Sequence, residues 1–238
     1  MNLQLLYHPL ASFCWKVSIA LYENGTPFTG RIIDLGDPEQ SSELQGYWAV
    51  GKFPLLRDLE RQQVIPESSI IIEYLDRQYP GAQPLIPRDF DQALKARLWD
   101  RFFDCYVQQP MQKIVGDSMR PSGSHDVDGV TEARTTLRTA YAMFDQSLAA
   151  GGWAAGPDFG IADCSAAPAL FYAGILVPFT GHANIVAYFD RLSDRASFVR
   201  TIKEAQPYFP LFPMRSDIPA RFLDSNANSF SSLPRSRR

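Results

Sequence analysis

The residue types best suited to chemistry stand together in one short stretch near the start of the chain. Ser12 and Cys14 follow a strand-like run and open a helix-like run, with His8 and Pro9 at the turn between the two. A helix N-terminus presents N–H groups without partners and about half a positive charge, so it favours a bound thiolate or carboxylate. From residue chemistry alone, the Ser12 hydroxyl either caps this helix or donates a hydrogen bond to a bound anion.

Several other chemistries lack their minimum parts in this sequence. The three cysteines are widely spaced and form no Cys-x-x-Cys pair, which argues against a disulfide framework and against a zinc site. None of the three histidines stands beside a serine or cysteine in a nucleophile-elbow pattern. The motifs G-x-x-x-x-G-K-[ST], G-x-G-x-x-G and H-E-x-x-H are also missing. We therefore expect neither a metal nor a nucleotide cofactor.

The overall composition is that of a globular protein. Of 238 residues, 45% are apolar and 21% are charged, and the net charge is −3. These values exclude a disordered or fibrous chain, and the charge provides no field that would attract nucleic acid or an anionic membrane. The N-terminus lacks the basic and apolar regions of a signal peptide, and no stretch of about 18 apolar residues occurs. We expect a cytoplasmic protein with neither a nucleic-acid nor a membrane partner.

The elements that must position Ser12 change in type partway along the chain. Apolar runs and turn signals predict the order β-α-β and then β-β-α, with strands at 3–7, 28–33, 54–59 and 63–65 and helices at 15–22 and 68–78. Helical patterns alone follow, at 90–109, 131–149, 161–173, 184–192 and 197–204. The stretch 81–87 contains two prolines and a glycine, so we place a domain boundary near Pro84. The predicted domains are 1–84 and 85–238, with an irregular tail after about 213.

Three motifs in this order resemble the N-terminal domain of glutathione S-transferases. They are residues 7–9 with 12–21 (YHP and SFCWKVSIAL), residues 51–55 (GKFPL) and residues 66–75 (PESSIIIEYL). The helical half that follows a short linker resembles the second domain of that family, so the resemblance extends to about residue 213. It implies an α/β thioredoxin-like domain followed by an all-α domain, usually assembled as a homodimer.

The resemblance also implies how glutathione, as co-substrate, is held across the first domain. A cis Phe53–Pro54 bond would expose the Phe53 backbone N–H and C=O, which would pair with the cysteinyl residue of glutathione like an added strand. Ser68 and neighbouring N–H groups would take the γ-glutamyl carboxylate, and Glu67 would take its ammonium group. Lys52 is the expected partner of the glycyl carboxylate.

The sequence departs from the family at the position where the thiol should be activated. Serine-type members carry their hydroxyl six residues before the valine of a K-V or R-V pair, and here that position is Ala11. The neighbouring Ser12 is the first choice for the catalytic hydroxyl. Tyr7 matches the position of the hydroxyl in tyrosine-type members. Cys14 is either a partly buried apolar residue or a helix-start thiol with a lowered pKa.

A second departure lies in the helical half, where residues 156–163 resemble the family's N-capping box and hydrophobic staple. Glycine, at Gly160, replaces the usual serine or threonine cap, which costs roughly a few tenths of a kcal/mol. Asp163 is expected to accept a hydrogen bond from the N–H of the cap, with Phe159 packed on Cys164. We assign this motif to folding and exclude Asp163 from the active site.

Together these observations predict a glutathione transferase, an enzyme of detoxification. Glutathione would lie with its sulfur at the start of the first helix, and its thiolate would attack a small apolar electrophile. The second pocket would lie against the first long helix, where Tyr106 and Met111 are the expected lining residues. Two alternatives remain open. One is thiol–disulfide or glutathionyl exchange using Cys14 or glutathione, and the other is a non-catalytic glutathione-binding protein.

Overall fold

The computed structural model describes residues 2–232, and these residues form one four-stranded sheet. Its strands are β1 (Leu3–Tyr7), β2 (Thr29–Ile32), β3 (Leu55–Asp58) and β4 (Gln63–Pro66), in the spatial order β2-β1-β3-β4. β1 and β2 are parallel, whereas β1 with β3 and β3 with β4 are antiparallel. The four predicted strands are therefore present, with small changes at their ends.

Three helices flank this sheet, and local sequence explains where they begin and end. α1 (Ser12–Asn24) ends at Gly25, whose φ of 62° is the left-handed conformation that glycine adopts without strain. α2 (Pro38–Tyr47) begins after Asp37, whose carboxylate accepts hydrogen bonds from two N–H groups of the first turn. α3 (Ser68–Gln78) follows β4 after a single residue and has the predicted bounds.

Sequence periodicity does not predict α2, and the structure shows the reason. Leu44 is the one buried residue of this helix. The stretch therefore lacks the apolar spacing of three and four residues that marks an amphipathic helix. Leu44 joins Leu6, Ile33 and Leu55 on one face of the sheet, and the partly buried rings of Tyr47 and Trp48 pack against this cluster where the helix ends.

The second half contains helices and no strands in the part of the chain that the structure describes. Its helices are α4 (Phe90–Phe102), α5 (Gln109–Ser118), α6 (Val127–Ser147), α7 (Ile161–Leu176), α8 (Ala183–Ser193) and α9 (Ala196–Ala205). The long helix predicted at 90–109 is in fact α4, a π-helical turn (Phe103–Gln108) and the start of α5. The fold class is the predicted one, a thioredoxin-like α/β unit followed by an all-α unit.

α1 lies between the sheet and the helical half. Val17 and Leu21 pack with the apolar side chains of β1 and α3. On the other side of the helix, the ring of Trp15 packs 4.9 Å from that of Phe171 and 5.1 Å from that of Tyr172, both on α7. Aromatic side chains bury more apolar surface than any others, so these contacts hold the helix firmly. The helix that begins at Ser12 is thus fixed by both halves of the protein.

Asp163 has the folding role expected from the sequence. One carboxylate oxygen accepts a hydrogen bond of 2.9 Å from the Gly160 N–H, and the other accepts one of 2.9 Å from the Ala154 N–H. The Tyr188 hydroxyl also donates to this carboxylate. Asp163 therefore joins the start of α7 to the preceding loop and to α8.

The chain after α9 packs back on the helical half. Its 3₁₀ turns are Gln206–Leu211, Arg215–Asp217 and Ala220–Phe222. Phe212, Phe222 and Phe230 are buried, so aromatic side chains fix the path of this segment in the absence of a long helix. Within residues 2–232, none of the helices has both the length and the apolar character needed to cross a membrane.

Candidate functional site

A cleft of about 530 Å³ lies where the start of α1 faces α5 and the chain after α9. Ser12, Lys52 and Phe53 from the first half line one wall. The opposite wall is mostly apolar, and its residues include Met111, Val115, Met119, Tyr172, Leu211 and Phe212. Because the N-terminus of a helix opens into a largely apolar space, this cleft is the candidate site.

Ser12 is the first residue of α1 and lies in the cleft, but it does not cap the helix. The N-cap position belongs to Ala11, which has no side chain to accept a hydrogen bond. Of the two roles left open for Ser12, capping is therefore wrong, because the helix begins one residue earlier than that role requires. The first helical hydrogen bond joins the Cys14 N–H to the Ala11 carbonyl. The N–H groups of Ser12 and Phe13 precede it, so they are available to an anion beside the Ser12 hydroxyl.

The loop that precedes Ser12 is held by one hydrogen bond within the loop, one from α7 and one from α1. The Leu10 N–H donates to Nδ1 of His8 at 3.1 Å. The hydroxyl of Tyr172, on α7, donates to the Leu10 carbonyl oxygen at 2.7 Å. The indole N–H of Trp15 donates to the Pro9 carbonyl oxygen. These bonds restrict the loop, so the position of Ser12 is set before any ligand binds.

Cys14 lies away from the cleft, and its environment disfavours a reactive thiol. Its side chain is 0% exposed and belongs to the inner face of α1. Burial raises the pKa of Cys14 to about 12, despite a smaller opposing effect of a hydrogen bond with the His8 backbone. The prediction that Cys14 could be an activated thiol at the helix start is therefore wrong, because α1 turns its side chain toward the core.

Tyr7 also lies outside the cleft. Its ring rests against Gly30 of β2, where a Cβ atom would come within 2.9 Å of the Tyr7 ring. Burial raises the pKa of the Tyr7 hydroxyl, and the nearby Glu204 and Tyr208 raise it further. The prediction that Tyr7 could provide the activating hydroxyl is also wrong, because its side chain extends over the face of the sheet that α1 and α3 cover.

The segment from Lys52 to Pro54 forms the second part of the site. The Phe53–Pro54 peptide bond is cis, as the sequence motif implies. The Phe53 ring stacks on that of His8, with centroids 6.3 Å apart. The exposed Lys52 side chain forms no salt bridge with any residue between 2 and 232. The cation is therefore available to an anionic ligand.

Sheet register brings Glu67 and Ser68 to the same edge as Pro54. Leu55 of β3 pairs with Pro66 of β4, so the residues just beyond this pair, Pro54 and Glu67, lie side by side. Glu67 has a φ of 69°, which is rare for a residue other than glycine. Backbone strain of this kind is concentrated at ligand sites. Ser68 is buried at the first position of α3. Neither residue lines the apolar cleft itself.

The two residues expected in the second pocket separate in the structure. Met111 is buried and lines the cleft. Tyr106 is 55% exposed and lies in a different groove, between α4 and α6. The expectation for Tyr106 is therefore wrong. The π-helical turn at Phe103–Gln108 contains more residues than an ordinary turn, so it changes which side chains face the cleft.

Sequence patterns do not predict one buried ionic group near the site. Lys16 of α1 is fully buried, and its ammonium group pairs with Asp100 at 2.6 Å and with Asp104 at 2.9 Å. The only signal in the sequence is the spacing of the two aspartates, four residues apart on one helix face. Nothing local links them to Lys16, which lies 88 positions from Asp104. Within the described residues, no group of three or more His, Cys, Asp or Glu side chains is arranged to hold a metal ion.

Known families match both halves of the chain. The glutathione S-transferase N-terminal domain matches residues 6–83, and the glutathione S-transferase C-terminal domain matches residues 102–196. A similar solved structure is the glutathione S-transferase from Methylobacillus flagellatus KT with GSH bound. It has a TM-score of 0.78 and 25% sequence identity, and the match covers 84% of this chain and 98% of that one.

Relatives of similar length carry different names. The chain is 28% identical over 199 residues to the stringent starvation protein A homolog of Histophilus somni, a match that covers 82% of this chain and 87% of that protein. It is 24% identical over 154 residues to glutathione S-transferase GstB of Escherichia coli (strain K12), covering 64% and 74%. Since both domain matches occur in order and the cleft lies between their elements, the chain belongs to the glutathione S-transferase family.

Proposed function

We propose that this protein is a glutathione transferase that uses Ser12 to activate the thiol of glutathione. The observation that carries this proposal is the position of Ser12, at the start of α1 and inside the cleft. A hydroxyl donor, two N–H groups and the helix dipole would all act on a sulfur atom placed there.

The tripeptide would lie along the edge of the sheet. Its glycyl carboxylate would meet the Lys52 ammonium group, and its cysteinyl backbone would pair with the N–H and C=O of Phe53. Its γ-glutamyl end would reach Glu67 and Ser68, which lie beside Pro54 through the register of β3 and β4. Between these ends, the thiol would come to Ser12.

Simple energetics support thiol activation by this arrangement. A free thiol has a pKa of about 8.5, and lowering it by roughly 2 requires about 2.7 kcal/mol of preferential thiolate stabilisation. One hydrogen bond to a charged acceptor contributes about 1.5–3 kcal/mol. A helix N-terminus adds about 0.3–1 kcal/mol. The Ser12 hydroxyl and the start of α1 can therefore supply the free energy needed to lower the thiol pKa, without Cys14 or Tyr7.

The second substrate would be a neutral, apolar electrophile. Apart from Lys52, no charged side chain of residues 2–232 lines the cleft, and Lys52 is assigned to glutathione. Met111 and Met119 offer soft, adaptable surfaces that accept several shapes. The thiolate sulfur would attack the electrophilic carbon and form a thioether. For an aryl halide, the halide would leave with the bonding electron pair. Such conjugation is a detoxification reaction.

Two rival functions differ in what they require of the site. Exchange through Cys14 requires an accessible thiol, and its burial argues against this. Exchange between glutathione itself and a disulfide requires only the glutathione site. A non-catalytic glutathione-binding protein would need no activating hydroxyl. Ala11 favours this alternative, because it places a methyl group where serine-type members carry the activating hydroxyl.

One set of assays separates these functions. The purified protein is tested for conjugation of a chromogenic aryl halide, for reduction of a mixed glutathione disulfide, and for glutathione binding by calorimetry. The proposal predicts binding together with conjugation. Disulfide reduction without conjugation would replace it with exchange, and binding without either activity would replace it with a non-catalytic role. Absence of glutathione binding would contradict all three.

We further propose that the protein is a homodimer that uses an exposed apolar surface on α4. Phe90, Leu94 and Leu98 recur every four residues and are exposed. Leu98 and Tyr106 continue into the groove shared with Met143 of α6. Monomers rarely expose apolar patches of this kind. Sedimentation equilibrium should show a dimer that Leu98→Glu weakens, whereas Val127→Glu, an exposed position outside the groove, should leave it intact. A wild-type monomer would contradict this proposal.

We infer a cytoplasmic location from the cysteines. Cys14, Cys105 and Cys164 are all unpaired, and free cysteines are typical of reducing compartments. Fractionation of the source cells with an antibody against the protein tests this location, and recovery among secreted proteins would contradict it.

A further inference from the structure

The side chain of Lys16 is 0% exposed, and its ammonium group is held by three other elements of the fold. It pairs with Asp100 of α4 at 2.6 Å and with Asp104 of the π-helical turn at 2.9 Å. It also donates a hydrogen bond of 2.8 Å to the hydroxyl of Ser69, on α3. A residue of α1 is thereby attached both to α3 and to the helical half.

Further polar groups complete this arrangement. The Ser69 hydroxyl donates to Asp100 at 2.6 Å. Ser165 of α7 donates to the other oxygen of Asp100 at 2.8 Å. We call these five residues, Lys16, Ser69, Asp100, Asp104 and Ser165, the Lys16 cluster. Around it, the mostly exposed Arg101 reaches Asp104 at 3.3 Å, and the buried thiol of Cys164 lies within electrostatic range of Lys16 and Asp100.

Stability alone does not explain a buried cluster of this kind. Removing charges from water is costly, and buried ion pairs can often be replaced by apolar side chains without loss of stability. Burial raises the pKa of Asp104, although the nearby Lys16 opposes this effect. The cluster therefore keeps charged groups buried at a cost in free energy. This cost points to a role in positioning the elements that the cluster joins.

The cluster lies beside the first turns of α1 and α3, the two helix starts of the proposed glutathione site. Ser69 directly follows Ser68, and Lys16 lies one helical turn after Ser12. Resting on the proposed function, we propose that the Lys16 cluster is a positioning device that fixes the first turn of α3 for recognition of the γ-glutamyl end of glutathione. In this role the cluster residues touch no substrate and act through Ser68 and Glu67.

The geometry explains why such a device is needed. Glu67 adopts a left-handed φ of 69° immediately before α3, and a residue in that conformation keeps it only when its surroundings enforce it. The Ile71 N–H holds the Glu67 carbonyl at 2.8 Å from within the helix. The hydroxyl of Ser69 provides the attachment from outside the helix, through Lys16 and Asp100. A loosened first turn would misplace the groups that bind the γ-glutamyl carboxylate and ammonium.

The test compares two ligands on the variant Ser69→Ala. Glutathione carries the γ-glutamyl group and the dipeptide cysteinylglycine lacks it, while both carry the thiol and the glycyl carboxylate. We expect the substitution to weaken glutathione binding by roughly fivefold to tenfold, the effect of about one lost hydrogen bond. Binding of cysteinylglycine should not change, so the preference for glutathione should fall by the same factor.

Variants of the lysine extend the test. Lys16→Met should lower the preference for glutathione over cysteinylglycine. Lys16→Arg keeps the charge, so it should lower this preference less than Lys16→Met does. Arg97→Met is the matched control, because Arg97 of α4 and Glu73 of α3 form a more exposed ion pair between two helices that the Lys16 cluster also joins. This control should leave the preference unchanged. If Lys16→Met fails to fold, Ser69→Ala and Lys16→Arg still decide the outcome.

Each result has a defined meaning. Equal loss of affinity for both ligands in Ser69→Ala would show a general structural role and overturn the positioning role. A glutathione affinity that Ser69→Ala leaves unchanged would also overturn it, with the proposed function intact. If the wild-type protein binds no glutathione, the proposed function fails, and this inference fails with it.

Discussion

The hydroxyl of Tyr172 donates a 2.7 Å hydrogen bond to the carbonyl oxygen of Leu10. A helix of the second half therefore holds the loop that leads into Ser12. Tyr172 is buried and also lines the cleft. The contact links the stability of the interface between the two halves to the geometry of the site.

Replacing Tyr172 with Phe should destabilise the protein by about 1–2 kcal/mol, because the Leu10 carbonyl would lose its partner inside the protein. Conjugation should slow severalfold as the loop loosens. Denaturant unfolding and steady-state rates measure the two effects. Tyr141→Phe is the matched control, since the buried Tyr141 hydroxyl has no hydrogen-bond partner among the described residues. Equal behaviour of the two variants would argue against the Tyr172 contact.

Cys14 should be dispensable for activity. With a pKa of about 12, its thiolate would amount to roughly one molecule in 100,000 at pH 7. The variant Cys14→Ala should keep near-normal conjugation and lose about 1–2 kcal/mol of stability through the small cavity it leaves. In the native protein, iodoacetamide should modify the half-buried Cys105 before Cys14, as peptide mass spectrometry would show. Loss of activity in a folded Cys14→Ala would revive the exchange mechanism.

Lys52 should recognise the glycyl end of glutathione. Lys52→Met should weaken glutathione binding by roughly fivefold to tenfold, the effect of one charge-assisted hydrogen bond at a partly solvated site. The glycyl monoethyl ester of glutathione lacks that carboxylate charge, so its affinity should be nearly the same for both proteins. Calorimetry with both ligands measures this, and Lys95→Met on the exposed side of α4 provides a control. A similar loss for both ligands would contradict the assignment.

Asp163 should make a contribution to stability that decreases as the pH rises. Burial raises the pKa of Asp163 to about 6 in the folded state, despite hydrogen bonds with Ala154, Tyr188 and Gly160 that lower it. An unfolded aspartate has a pKa of about 3.9, so the folded state binds more protons between these values. Stability from this residue is therefore full below about pH 4 and is lost as the pH rises through about 6.

Denaturant unfolding of wild type and Asp163→Asn at several pH values checks this sign. The advantage of the wild type over the variant should shrink between about pH 4 and pH 6.5. The difference between the two proteins is the useful quantity, because carboxylates with lowered pKa values, such as Asp58 and Asp190, have the opposite effect in both. An advantage that grows with pH would contradict the assignment.

Sequence patterns predict the elements that have strong apolar periodicity. The bounds of α3 follow from its apolar spacing and the Tyr-Pro-Gly stop, and the cis Phe53–Pro54 bond follows from its motif. α2 is not predicted because Leu44 alone is buried. Boundaries of one residue matter at α1, where the start of the helix decides whether Ser12 caps it or lies in the cleft. Local patterns do not resolve that difference.

Other parts of the site depend on long-range geometry. Tyr106 and Met111 are five residues apart, and only the π-helical turn between α4 and α5 decides which of them faces the cleft. The partners of Lys16 come from distant segments of the chain, so periodicity carries no signal for them. Interactions of this kind require the packed structure.

The most direct test of the account is a pH titration of the glutathione thiol bound to wild type and to Ser12→Ala, followed by the ultraviolet absorption of the thiolate. If Ser12 activates the thiol, the wild-type pKa should lie about two pH units below that of free glutathione, and it should rise by at least about one unit in the variant. Ser12→Thr should preserve most of the wild-type value, and Ser18→Ala, on the same helix outside the cleft, should not change it. An identical thiol pKa in wild type and Ser12→Ala would contradict the central role of Ser12.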